Sequence, residues 1–461
     1  MITMKTIALR ALLTWATGLF YINNAVAALP IEHWTQASGV QVYLVQSPAI
    51  PMVDLQIDFD AGSRRDPVDQ AGLASVTASM TSKGVLASAG GTEPALDENG
   101  LSDAWADLGA SFGAGASSDR MSFSLRSLTY PDLLSQATQL AARQLGEPAF
   151  PPAIWLRERE RLNAALKEAN TRPATLVGRA FAAGVYGQHP YGFEMTQESL
   201  ARISVADMQR VYRTLIQPCR AKVTIVGAVN RGQADDLVTR LFSRLPVDAS
   251  AQATAPNACP VLPSVPEVAP LEQAVEKRIA FDSAQAHVLI GQPGFRRDDP
   301  DYFALTVGNY ILGGGGFVSR LTSEVREKRG LSYSVYSYFA PGLHAGAFTV
   351  GLQTRPDQAN QAVRVAQEVV AKFVADGPTA AELKAAKDNL IGGFALRIDS
   401  NRKLLENVAN IAWNQLPLDY LDTWTQQVER VSAADIRAAF ARKLQPATMV
   451  TVVLGGADAG K

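Results

Sequence analysis

Four histidines, His33, His189, His287 and His344, are all the imidazole in the 461-residue chain, and no two stand at the spacing of metal ligands on one helix. A zinc centre assembled from sequence neighbours is therefore not expected. Ser75 and Ser79 could act as nucleophiles only beside a base, and the local sequence offers neither a histidine nor a Gly-x-Ser-x-Gly elbow. The run from Leu312 through Gly316 lacks the Lys-Ser/Thr ending of a phosphate loop and reads as a close-approach turn between helices. In RERERLNAALKE, Glu158 and Glu160 alternate with arginines, the pattern of a solvated helix face with internal ion pairs. Cys219 and Cys259 could bridge in an oxidising compartment or remain two thiols, and the sequence leaves both open.

The elements that would carry these residues form two similar halves. Ile203 to Pro218 reads against Val431 to Pro446 without a gap, each copy holding a Ser-x-x-Asp helix start, an apolar helical stripe, a proline stop and then a strand. Matching units at a fixed offset indicate duplication. Alternating apolar residues predict strands over 40–45, 53–59 and 121–125, and helical periodicity predicts helices over 130–145, 153–169 and 174–186. The second half reads as a strand over 286–291, helices from Asp301 and Val318, strands on both sides of Pro341, and helices from Pro356 and Thr379. Each half is thus expected to be α+β, mostly antiparallel sheet with helices packed on one face. The expected boundaries are residues 28–245 for the first half, a Pro/Ala-rich linker over 246–270, and 271–461 for the second.

Lys5 and Arg10, an apolar run from Ala11 to Ile22 and the small residues Ala25-Val26-Ala27 have the layout of a secretory signal spanning residues 1–27. Export, with a bacterial periplasm as destination and no later spanning segment, is the expectation. The balance of 43 basic against 44 acidic residues gives no electrostatic reason to expect nucleic acid or an anionic membrane as partner.

GSRRDPVDQAGLASVTASMTSKG at 62–84 and VREKRGLSYSVYS at 325–337, supported by HPYG at 189–192 and LGGGGFVSRL at 312–321, resemble the insulinase or pitrilysin family, which includes the mitochondrial processing peptidases. The resemblance covers nearly the whole mature chain. It implies a peptide-binding cavity and, in active members, His-x-x-Glu-His on the first helix, with two imidazoles on zinc and the glutamate activating water. Here Ser75, Ala78 and Ser79 occupy those places, so neither a metal ligand nor a catalytic residue is expected in this chain. The third family ligand would fall near Glu158 or Glu160, and neither is taken as one; His189 on its turn is read as packing. The resemblance further implies that Arg326 and Tyr333 contact substrate, the guanidinium toward peptide carbonyls and the phenol toward a developing oxyanion. Some family members divide these labours between two chains, one bringing zinc. The expectation is a non-catalytic substrate-binding subunit with a zinc-bearing homologous partner and a peptide substrate. The alternative is a stand-alone peptide-binding or scaffold protein.

Overall fold

In the computed structural model the described residues are 30–88, 90–245 and 259–456, so the expected signal segment, residues 1–27, and residues 246–258 of the expected linker lie outside them. Thirteen strands are present among these residues. They are β1 (Glu32–Thr35), β2 (Gln41–Gln46), β3 (Met52–Phe59), β4 (Gly84–Val85), β5 (Leu96–Asp97), β6 (Ser111–Ala116), β7 (Met121–Leu128), β8 (Lys222–Gly227), β9 (Val275–Ile279), β10 (Ala286–Pro293), β11 (Val335–Phe339), β12 (Ala347–Thr354) and β13 (Val450–Leu454). The α-helices of the first half are α1 (Leu73–Met80), α2 (Glu98–Asp107), α3 (Pro131–Gly146), α4 (Pro152–Ala169), α5 (Pro173–Tyr186), α6 (Gln197–Arg202), α7 (Val205–Leu215) and α8 (Arg231–Phe242). Those of the second are α9 (Tyr302–Asn309), α10 (Ala359–Asp376), α11 (Ala380–Gly392), α12 (Asn401–Trp413), α13 (Tyr420–Arg430) and α14 (Ala433–Lys443).

Two sheets carry the fold, in the orders β1-β2-β8-β3-β7-β6 and β11-β12-β10-β13-β9. Read from β9, the second sheet repeats the first from β2 onward. The single parallel pair falls at the same place in both, β2 with β8 and β9 with β13, and every other pairing is antiparallel. Matching strand order and direction make the duplication visible in three dimensions. Both copies of the Ser-x-x-Asp motif form capping boxes, Ser204 with Asp207 starting α7 and Ser432 with Asp435 starting α14.

Each half covers one face of its own sheet with helices, as the sequence predicts. The opposite face receives one helix from the other half. Met449, just before β13, and Val453 on it point into the second half's core, whereas Val450, Val452 and Leu454 pack against Val177, Phe181 and Val185 of α5. Gly184 is required there, since a Cβ would lie 2.8 Å from Val450 Cγ1. Reciprocally, α12 lies on β3 and β8. Val53, Leu55, Ile57 and Phe59 face the first half's own core, so the alternate residues Asp54, Gln56 and Asp58 line the face that α12 covers. Lys222 Nζ donates to the carbonyls of Ala412 and Trp413 at 2.8 and 3.2 Å, closing the C-terminal end of α12 with a cation, as the helix dipole favours. Arg120 pairs with buried Asp58 at 3.0 Å and lies over the Trp413 ring.

The described end of the linker is strapped down. Cys219 and Cys259 form a disulfide with Cα atoms 5.7 Å apart, Arg65 Nη1 donates to Pro263 O at 3.0 Å, and Val268 is buried.

Candidate functional site

Helix α1 starts from Asp66, whose carboxylate accepts from the backbone N–H of Gly72 and Ala74, both at 2.9 Å. Burial raises this carboxyl to about 7 even though those backbone N–H groups favour its ionised form. Gly72 sits at φ 102 beneath Met195, a conformation and a closeness open to glycine alone. The helix then presents Ser75 and Ser79 to solvent and turns Ala78 into the core, where it is 1% exposed. Ser79 Oγ donates back to Val76 O at 2.9 Å. Two hydroxyls and a buried methyl cannot replace two imidazoles and a carboxylate, so these residues do not fit a zinc ion. Among the described residues no group of three or more His, Cys, Asp or Glu is arranged to hold a metal.

Glu158 is buried rather than solvated, at 9% exposure, while Glu160 is exposed. The Glu158 carboxylate accepts from Arg161 Nε at 2.8 Å and lies 3.5 Å from Lys83 Nζ, just past the end of α1. Lys83 also reaches Glu98 at 3.4 Å, and Arg157 joins Glu98 at 2.8 Å. Burial pushes the Glu158 carboxyl upward, but the Arg161 hydrogen bond and the Lys83 charge outweigh it and hold the pKa below the ordinary value. The region therefore holds a salt-bridged cluster with its own ammonium beside two carboxylates. That role was not legible in the helical spacing, because Lys83 and Glu98 come from distant sequence.

The histidines are dispersed in sequence, yet the fold brings two together. His189 and His344 lie with ring centroids 5.1 Å apart at the junction of the halves, with Tyr191 against both. His189 uses both nitrogens locally, Nδ1 accepting from Tyr191 N at 3.1 Å and Nε2 meeting Pro266 O at 3.0 Å. His344 Nδ1 lies 3.4 Å from Glu267, whose other oxygen accepts from Ala345 N. This is a packing cluster binding the strap to both halves.

Arg326 and Tyr333 come together on the surface of the second half. Arg326 lies in a π-helical turn, Thr322–Glu327, and its guanidinium carbon is 4.9 Å from the Tyr333 ring centroid. Tyr333 precedes β11 and is 82% exposed, so it is not part of the strand core. Phe317, which the sequence did not single out, lies 4.7 Å from the same guanidinium. The glycine run before it permits close approach, since a Cβ on Gly313 would fall 2.4 Å from Ser337 Oγ.

The two sheet edges near these regions differ. Along β6, no backbone hydrogen bond is made outside the ladder with β7 among the described residues, and a Cβ on Gly113 or Gly115 would meet nothing within 4 Å. On β11, Asn309 Nδ2 donates to Ser337 O at 3.2 Å and Asn309 Oδ1 accepts from Ser337 Oγ at 2.8 Å, blocking that edge.

Comparison with known proteins agrees with this geometry. A family model described as Insulinase (Peptidase family M16) matches residues 41–198, and one described as Peptidase M16 inactive domain matches residues 202–390. A Streptomyces coelicolor protein named as an uncharacterized zinc protease is 28% identical over 270 residues, which is 58% of this chain and 57% of that protein. The matched region thus spans little more than half the length of that relative. A Helicobacter pylori protein named non-peptidase homolog YmxG is 24% identical over 434 residues, 92% of this chain and 93% of that one. The crystal structure of a peptidase M16 inactive domain from Pseudomonas fluorescens superposes with a TM-score of 0.84 at 32% identity, covering 94% of this chain and 99% of that one. With both halves of its fold matched and the zinc-helix positions filled by Ser75, Ala78 and Ser79, this chain belongs to the insulinase-type peptidase family M16 as a member with an inactive peptidase fold.

Proposed function

We propose that this chain is the non-catalytic, substrate-binding subunit of a periplasmic zinc metallopeptidase, lending Arg326 and Tyr333 to the zinc site of a homologous partner. The observation that carries this reading is the pairing of two facts. The positions for metal ligands are serine and alanine, while Arg326 and Tyr333 are present and adjacent, Tyr333 exposed and Arg326 half-buried. A guanidinium offers a fork of donors to peptide carbonyls, and a phenol can donate to an oxyanion. The partner would supply zinc, water and base. An extended peptide adds as a strand along β6, whose outer edge makes no backbone hydrogen bond among the described residues. The export layout of residues 1–27 motivates the periplasmic assignment, and no helix of the described residues is long and apolar enough to cross a membrane.

The second reading is a stand-alone peptide-binding or scaffold protein, favoured by the name non-peptidase homolog carried by the Helicobacter relative. The two separate in a mixing experiment with a zinc-bearing homologue. Chelator-sensitive peptide cleavage should require both chains, and Arg326→Ala or Tyr333→Phe should lower it by about 10²-fold, as removal of an oxyanion donor does. Cleavage in the mixture that is indifferent to both substitutions would sink the shared-site reading.

A further inference from the structure

Large apolar side chains are normally scattered singly on a protein surface, and a cluster of them marks a contact site. Phe317, Val318 and Tyr333 are 71%, 74% and 82% exposed. Phe317 and Tyr333 both lie within cation–π range of the Arg326 guanidinium, at 4.7 and 4.9 Å. Contact with rings consumes none of the five N–H donors of a guanidinium. Among the described residues, no carboxylate or carbonyl accepts from the Arg326 side chain. Glu324, an acid of the same turn, is taken up by Lys328 and Arg329, both at 2.6 Å. Arg326 is thus a fixed cation with unused, fork-shaped donors inside an apolar rim.

We infer that Phe317 is a third member of the Arg326/Tyr333 site and that the site selects a carboxylate flanked by an apolar side chain. A carboxylate satisfies the fork in two parallel hydrogen bonds, which a single peptide carbonyl cannot do. The neighbouring apolar side chain lies against Phe317, Val318 and Tyr333 and removes them from water. Both the C-terminus of a peptide ending in an apolar residue and an internal Asp or Glu beside one present this chemistry. The inference rests on the reading that Arg326 and Tyr333 contact peptide, and it adds what that peptide must carry. Phe317 is both a contact for the ligand and a positioning residue for the guanidinium.

Fluorescence anisotropy of the full chain tests it with three fluorescein-labelled hexapeptides: one ending in Gly-Phe as the free acid, the same peptide as its C-terminal amide, and an amide with an internal Asp-Phe step. At least one carboxylate peptide should bind about tenfold tighter than the plain amide, and whichever does identifies the source of the carboxylate. Phe317→Ala and Arg326→Lys should each erase that preference, whereas Phe317→Tyr should keep it, because the ring is retained. Equal binding of acid and amide peptides, or wild-type preference in Phe317→Ala, overturns the inference. If Arg326→Ala still weakens every peptide in that case, the peptide-holding reading survives without it. Failure of all three peptides to bind overturns both.

Discussion

Ala78 belongs to the core. It is 1% exposed and packs within the same cluster as Leu73, Val76 and Met80, while its helical neighbours Ser75 and Ser79 face solvent. Restoring the glutamate alone, as Ala78→Glu, should cost about 2–4 kcal/mol in urea denaturation, because it buries a carboxyl with no partner. Ser75→His and Ser79→His, both exposed, should change stability by less than about 0.5 kcal/mol. Equal costs at all three positions would contradict the burial pattern. The missing ligands were legible in the sequence, because residue type alone decides whether zinc can be held. The companion of Arg326 was not. Phe317 is nine positions away, and it reaches the guanidinium because a 3₁₀ turn at Gly316–Val318 and a π-helical turn shape the chain between them, a geometry outside the 3.6-residue period.

At the level of elements, the two homologous edge strands have opposite fates. β11 is closed by Asn309 and the close approach of Gly313, whereas β6 is left bare beside α1. A strand-adding peptide donates and accepts through alternate residues only. N-methylation of one alternate set of amides in a bound probe peptide should therefore abolish binding, and methylation of the other set should leave it within about twofold, read by anisotropy. Equal losses from both sets would mean the peptide does not lie as a strand. Strands with clear apolar alternation, such as β3 and β7, were legible, and so were the long helices. β6 and β9 were not, because SFGAGA has no β-branched residue and VEKRI is largely charged. The helix expected from Val318 is instead a 3₁₀ turn at Gly316–Val318 followed by the π-helical turn, since the preceding glycines favour no regular helix.

Across the whole molecule, the exchange of α5 and α12 makes each half incomplete without the other, a feature no periodicity could reveal because it depends on which sheet a helix reaches. Phe181→Ala, in the first half, should cost about 3–5 kcal/mol and loosen hydrogen-exchange protection along β13 of the second. Loss of protection confined to the first half would contradict the exchange. The junction should also be acid-sensitive. Burial, and then the charge of His344, hold His189 below the ordinary 6.5, with Pro266 O, Glu267 and Asp119 opposing them. Arg64 and Tyr191 complete that surround through Asp119. A folded pKa below the unfolded one means that the unfolded chain takes the proton first. The stability from neutral His189 is therefore complete above 6.5 and declines as pH falls below it. Thermal melts of wild type and His189→Gln should converge as pH is lowered from 7 to 5, about the range in which imidazole titrates, whereas a constant gap would rule the titration out. The most direct test of the central claim, that this scaffold holds peptides without cutting them, is the metal content and peptide cleavage of the purified chain alone, before and after chelation. Substoichiometric zinc and no cleavage are expected, with peptide still bound; stoichiometric zinc and chelator-sensitive cleavage by this chain alone would overturn that claim.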